Sequence, residues 1–363
     1  MLFKSNIGIF FCWLVIICLS PLPRQAEAFS APASTATHSK TWQFRGYDIY
    51  AESTPPEQTT DKPSVLLVHG FGCSTVYWRE TVATLAQAGY QVHALDLLGQ
   101  GKSAKPGRGD GIEYSIDLWA ELTDQYAKEH IPGDSIVLMG NSLGSLVALV
   151  AATGEGCSDS YIRERVKGIG MYNCGIGMNS RNIAKEPQWS PAQRFALNRV
   201  FDLINFVIFG NLPLLRYVLE NVVTRDLLRE ALVSLYPCAE NPAERVDAAL
   251  VDSFFLPAQD AGAVEALSQI YCNDPGPTPM ELHERHEDFL KENVPIHLVW
   301  GDSDNVTPIA GGLGQYYIGR SNEKDSNISL KVISSGHIPF DEVPEVANGA
   351  MLQWLDNLPG KVN

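Results

Sequence analysis

Gly140-Asn141-Ser142-Leu143-Gly144 follows a short apolar run and precedes a helical pattern. A serine flanked by glycines at a strand-to-helix turn is the setting for an exposed nucleophile. Such a turn is tight, and glycine on either side lets backbone approach backbone without a Cβ in the way. It lifts Ser142 above the sheet and sets it at a helix N-terminus, where N–H groups and the helix dipole stabilise developing negative charge. A serine hydroxyl is a weak nucleophile and needs a base within hydrogen-bond reach. His337, after the last strand pattern in Ser334-Ser335-Gly336-His337, is the expected base. His69 competes for the role but belongs to a His-Gly loop beside the site.

The acid that orients the base should follow a late strand and precede the histidine. Asp302 and Asp304 both follow the run Ile296–Trp300. Asp304 is the choice, because it lies farther into the loop and is followed by Val306 and Pro308; Asp302 is the alternative. Its role is to hold the imidazole tautomer and stabilise the imidazolium. An oxyanion hole needs two donors, here the backbone N–H groups of Leu143 and Phe71. The chemistry is acyl transfer through an acyl-enzyme on Ser142, with no metal and no organic cofactor. His283 and His286 form an H-x-x-H on a polar helical stretch, read as a solvated face rather than a metal site.

These residues need a frame. Trp42–Ala51 reads as a hairpin around Gly46. Ser64–Val68, Val92–Leu95, Ser135–Met139, Val166–Met171, Ile296–Trp300 and Leu330–Ile333 are short, continuous apolar runs, the mark of strands buried on both faces. Helical patterns alternate with them at Trp78–Gln87, Ser115–Glu129 (Ser115 as N-cap), Leu143–Ala152 and Val346–Leu358. The expectation is an α/β fold with a mainly parallel sheet, helices on both faces and an inserted helical cap. The boundaries follow: 41–177 for the first part of the core, 178–290 for the cap or lid, 291–363 for the second part. Within the cap, Phe195–Leu219 is the most apolar stretch, cut by Gly210 and Pro213 into two short helices. It reads either as packing against the core or as a greasy lid touching a membrane; periodicity does not separate the two.

The 363 residues carry 27 basic and 42 acidic side chains, a net charge of −15, which argues against nucleic acid as partner. Residues 1–28 read as a signal peptide, with an apolar run Ile7–Leu19 and an Ala26-Glu27-Ala28 cleavage pattern. An uncleaved anchor over residues 7–19 is the alternative. Residues 29–40 begin with Phe29 and are rich in Ser, Thr and Ala. Together they resemble the two-part presequence of algae with secondary plastids, which implies plastid delivery through an ER-type signal; plain secretion is the rival. The five cysteines beyond the presequence have no framework spacing. Sequons stand at Asn305 and Asn327, and a glycan at Asn305 would crowd Asp304.

From Val65 to Leu358 the sequence resembles the α/β hydrolases, and within them the pheophytinase group of plastids, which removes the phytol chain from pheophytin. The stretches that carry the likeness are HGFGCSTVYW, ALDLLGQGKS, SIDLWAELTDQY, GNSLGS and GHIPFDEVPEVANGAMLQWL. GNSLGS carries the nucleophile onto Ser142 and the last stretch carries the base onto His337; Ser145 stands where the pattern has glycine. The resemblance implies hydrolysis of a hydrophobic small-molecule ester, phytyl or acyl, and contact with a thylakoid membrane surface. Serine at the elbow argues against haloalkane dehalogenase and epoxide hydrolase chemistry, which use aspartate there. Phe195–Leu219 would supply an apolar tunnel for a phytyl chain. A non-catalytic ligand-binding protein on the same fold is the alternative of a different class. Oligomeric state is not readable from this sequence.

Overall fold

The computed structural model describes residues 37–55, 61–155, 157 and 159–358. The signal-peptide, anchor and most of the transit-segment readings lie outside the described residues. The end of that segment does not: the first strand, β1, runs from His38 to Phe44, so residues 38–40 belong to the sheet. β1 turns into β2 (Tyr47–Thr54) through Arg45 and Gly46, whose φ angles are 51° and 84°. Positive φ at both central residues gives the two-residue turn whose twist matches the strands it joins.

Six further strands complete the sheet: β3 (Ser64–Val68), β4 (Val92–Leu95), β5 (Ile136–Asn141), β6 (Val166–Tyr172), β7 (Ile296–Gly301) and β8 (Ile328–Ile333). Their order across the sheet is β1-β2-β4-β3-β5-β6-β7-β8. β1/β2 and β2/β4 are antiparallel; every later pair is parallel. Parallel neighbours need crossovers, and helices α1 (Arg79–Gln87), α2 (Ile116–His130) and α3 (Leu143–Thr153) supply the early ones. Ser115 caps α2, accepting from the Leu118 N–H at 3.1 Å.

Alternate residues of one strand feed opposite cores. Leu66 and Val68 join the layer that contains α2 and α3, whereas Val65 and Leu67 join the layer under α1. Each such aliphatic side chain contributes about 1.5–3 kcal/mol when fully buried. That two-sided burial explains why the strands read as unbroken apolar runs.

The cap lies between β6 and β7. Its helices include α4 (Pro191–Ile204), α5 (Leu212–Asn221), α6 (Arg225–Val233), α7 (Ala248–Phe255) and α8 (Ala263–Cys272). α4 continues as a π-helical turn over Asn205–Phe209, and the chain then bends by 69° into α5. The expected break at Gly210 is there. Of the two readings of this stretch, Leu197, Phe209 and Leu215 carry the packing as the buried side chains of these helices, while Phe195, Leu203, Phe206 and Tyr217 face solvent. Met178, Ala266, Ile270, Leu282 and Leu290 of the inserted block join the main core beside the sheet. His283 is buried against Tyr317, not on a solvated face, and His286 pairs with Glu155 at 2.8 Å. At the second sequon, the Asn327 amide donates to the Leu290 and Val294 carbonyls at 2.7 and 2.8 Å, bonds that a glycan on that nitrogen would break.

The elbow imposes the tightest packing. A Cβ on Gly144 would stand 2.0 Å from the Val68 carbonyl oxygen, and one on Gly140 would stand 2.3 Å from the Gly144 oxygen. Both obstacles are backbone, so neither can swing aside. In the closing helix α9 (Pro344–Asp356), Gly349 is exposed and a Cβ there meets nothing within 4 Å. Gly144→Ala should therefore destabilise the protein by about 3 kcal/mol. Gly349→Ala should stabilise it by about 0.5–1 kcal/mol, because alanine is the better helix former. Urea titration of both variants beside the wild type checks the opposite signs.

Candidate active site

The carboxyl end of β5 delivers Ser142 with φ 52° and ψ −120°, a strained conformation for a residue with a side chain. Backbone bonds hold it there. The Ser142 N–H donates to the Tyr172 carbonyl at 3.0 Å, and the Ser142 carbonyl accepts from Gly175 at 2.9 Å and Ser145 at 3.0 Å. Ser145, the departure from glycine, is fully buried and donates its hydroxyl back to the Gly140 carbonyl at 2.9 Å. The extra hydroxyl thus pins the strand that carries the elbow. Asn141 reaches the other way and donates to the His337 carbonyl at 3.2 Å. The residue before Ser142 is therefore tied to the loop that carries His337.

His337 is nearly buried, and its Nδ1 lies 2.9 Å from Asp304 Oδ2. An ionised carboxylate only accepts, so Nδ1 carries a proton, and in the neutral imidazole Nε2 then keeps its lone pair. Asp304 is wholly buried, which pushes its pKa up, yet the net shift is below the ordinary 3.8. Burial is the largest single effect, but the facing His337 and the donors Asn173 and Thr307 together outweigh it. Thr307 Oγ1 donates at 2.7 Å, the Val306 and Thr307 N–H groups donate at 2.7 and 3.1 Å, and Asn173 Nδ2 donates as well. Asp302, the alternative acid, is exposed and accepts from its neighbour Ser303. The structure thus brings Asp304, not Asp302, to the histidine.

Asn173 was not legible in the sequence. It follows β6 with φ 44°, donates to Asp304 and, at 3.2 Å, to the Gly336 carbonyl, and accepts from the Gly301 N–H at 3.3 Å. One buried amide therefore links the acid loop to the base loop. No local motif announces it; position at a strand end, next to a glycine-rich stretch, is the only hint.

The loop after β3 carries Phe71. His69 anchors it by donating from Nδ1 to the Gly70 carbonyl at 2.7 Å and accepting the Leu97 N–H on Nε2 at 3.0 Å. Both ring nitrogens are used, and burial lowers the His69 pKa to about 4, so it is a neutral strut and not a rival base. Gln100 accepts the Gly72 N–H at 2.6 Å. Gln100 is itself held by a turn around Asp96, which accepts from Thr75 and Lys102 at 2.6 and 2.7 Å. Burial raises the Asp96 pKa to about 6. A Cβ at Gly70 would stand 3.4 Å from the Ser142 Cβ, so this loop lies against the elbow. Leu143 is the first residue of α3, where an N–H has no intrahelical partner. The two expected oxyanion donors, Phe71 and Leu143, thus sit in adjoining segments.

The base loop has one more support, also missed. Glu342 is buried and accepts from Gly336 N–H, from Ser335 Oγ at 2.7 Å, and from the Cys238 and Ala239 N–H groups of the cap at 2.6 and 3.1 Å. Its neighbour Asp341 takes both prongs of Arg79 at 2.7 and 3.0 Å and the Tyr236 hydroxyl at 2.8 Å. Among the described residues, no group of three or more His, Cys, Asp or Glu is arranged to hold a metal ion.

With this sheet order, elbow and loop set, the chain belongs to the alpha/beta hydrolase fold family, whose model matches residues 63–343. It is 26% identical over 327 residues to the chloroplastic pheophytinase of Arabidopsis thaliana, covering 82% of this chain and 62% of that protein. It is 31% identical over 115 residues to a probable lysophospholipase of the same plant, covering 31% of this chain and 22% of that protein. The chain thus spans less than two thirds of either relative. A bacterial membrane phospholipase A shares the fold, with a TM-score of 0.57 at 23% identity, covering 89% of this chain and 86% of that one.

His69 sets a pH dependence of stability. The unfolded chain binds the proton near pH 6.5 and the folded one only near pH 4, so protonation favours unfolding across that window. Stability contributed by neutral His69 is present above pH 6.5 and is lost as the pH falls, about 3 kcal/mol in all. His69→Gln should shrink the fall in unfolding free energy between pH 7 and pH 4 by about that amount, measured by urea titration at both values.

Proposed function

We propose that the chain is a serine ester hydrolase that works through an acyl-enzyme, and that its ester is the phytyl ester of pheophytin or a related chlorophyll derivative. The observation that carries the hydrolase half is the buried Asp304–His337 pair tied, through Asn141, to the strained serine elbow. Ser142 Oγ attacks the ester carbonyl and passes its proton to Nε2 of His337. Asp304 stabilises the imidazolium through Nδ1. The carbonyl oxygen becomes an oxyanion that accepts from the Phe71 and Leu143 N–H groups. Collapse breaks the ester bond, and His337 gives its proton to the departing alcohol. Water then attacks the acyl-serine with His337 as base, and the free acid leaves. With pheophytin the alcohol is phytol and the acid is pheophorbide.

The pigment half is supported by the pheophytinase resemblance and by an aromatic cluster behind the loop of Phe71. Phe71 packs edge-on against Tyr271 at 5.3 Å, and Tyr271 stacks on Phe209 at 3.8 Å. These inward residues, with Leu215 and Val264, are the tunnel candidates; the solvent-facing residues of α4 and α5 are not. The same reading assigns the chain to the plastid, in keeping with its presequence pattern and its chloroplastic relative.

The test is release of pheophorbide and phytol from pheophytin a, followed by chromatography, with wild type beside Ser142→Ala. Turnover that Ser142→Ala lowers by about 10⁴-fold or more is the expected result. Wild type that spares pheophytin and chlorophyll but hydrolyses an acyl lipid would overturn the pigment assignment and leave the hydrolase. Wild type that also fails to react with a fluorophosphonate at Ser142 would overturn both.

A further inference from the structure

The cap exposes what a chain of this composition should hide. Phe206 is 81% exposed, Phe195 66%, Leu203 62% and Tyr217 59%, with Val200, Val207 and Leu214 beside them. All seven lie on α4, its π-helical extension and α5. Seven large exposed apolar side chains concentrated on one bent helix pair mark a docking site. We infer that this bent helix pair is a lid that docks on a lipid bilayer bearing anionic headgroups, with Phe206 among the residues entering the acyl boundary.

Three observations choose that occupant. Among the described residues no single helix is long and apolar enough to cross a membrane, but this pair passes the length and composition test together, across its 69° bend. Bent this sharply, with an apolar face outward and arginine beside it, the pair is suited to lying in the interface. The second observation is charge. Residues 191–221 carry Arg194, Arg199 and Arg216 against Asp202 and Glu220, a local balance of +1 in a chain of −15. Arg194 donates to the Trp189 and Glu186 carbonyls and, among the described residues, has no carboxylate partner. A cleft of about 570 Å³ opens beside it, lined by Arg181, Lys185 and Arg194 along with Asp274 and Glu281. Arg181 pairs with Asp202 and Lys185 with Glu281, so among the described residues Arg194 is the cation left beside the apolar face to meet an anionic surface. The third observation is the underside. Phe209, on the same helical segment as Phe206, stacks on Tyr271, which touches Phe71 of the loop beside Ser142. A docked lid would lie one aromatic pair away from that loop.

This goes beyond the ester-hydrolase reading and does not depend on it. The experiment is hydrogen–deuterium exchange with mass spectrometry on the full chain, alone and with vesicles of phosphatidylcholine and phosphatidylglycerol. The expected result is slower exchange over residues 195–217 with the mixed vesicles, weakened in phosphatidylcholine alone and by high salt. Leu203→Gln with Phe206→Gln should remove that protection and weaken vesicle partition over these residues by about tenfold or more. The double variant should hydrolyse a small soluble acyl ester as the wild type does, which separates loss of docking from loss of chemistry. Unchanged exchange over 195–217 overturns the proposal, whether the protein stays free or binds through another segment. Protection that appears without vesicles as protein concentration rises overturns it too, because the face would then join two copies of the chain.

Discussion

The approach of the α3 backbone to the end of β3 governs the site. Gly144 lies so close to the Val68 carbonyl that no side chain fits between them. That contact forces the strand-to-helix turn into one residue and pushes Ser142 into positive φ. It also places Leu143 N–H beside the loop that follows β3, because β3 and β5 are neighbours in the sheet. The rest of the site repeats the pattern along the row. The carboxyl ends of β3, β5, β6, β7 and β8 are consecutive, and they lead in turn to Phe71, Ser142, Asn173, Asp304 and His337. Each parallel strand contributes one group, so strand order alone gathers residues separated by up to 266 positions.

Buried carboxylates hold this arrangement in place. An isolated buried carboxylate costs several kcal/mol, so each must be fed by donors. Asp304 takes them from the histidine, an asparagine, a threonine and two backbone groups. Asp96 takes two backbone N–H groups and fixes the turn that bears Gln100. Glu342 takes three backbone N–H groups and a serine hydroxyl. In each case the carboxylate pins the backbone of loops around the site.

The parts of the fold that read clearly in the sequence are those where local pattern and burial coincide. The apolar runs of β3, β5 and β7 are buried on both faces, so periodicity carried the information. Gly140 and Gly144 were legible because sterics leave no other residue at those positions. Asn173, Gln100 and Glu342 were not, because a hydrogen bond between loops distant in sequence leaves no spacing to detect. The cap was half legible. Gly210 announced the break between α4 and α5, but apolar periodicity has no sign, so it could not tell an inward Phe209 from an outward Phe206. His283 misled for the opposite reason: polar neighbours in sequence hid its burial against Tyr317.

The bridge from Glu342 to Cys238 and Ala239, and from Asp341 to Tyr236, bears on how such a protein diversifies. The cap is inserted between β6 and β7, yet its segment at 236–239 is stitched to the loop that holds His337. The insertion is therefore not a free module. Residues on the outer helices can drift toward new ligands while the core keeps its register. A change at 236–239 reaches the loop that holds His337 directly, through two carboxylates. Recombination that exchanges caps between relatives would keep a working core only where the crossover leaves that short stretch in its original partnership.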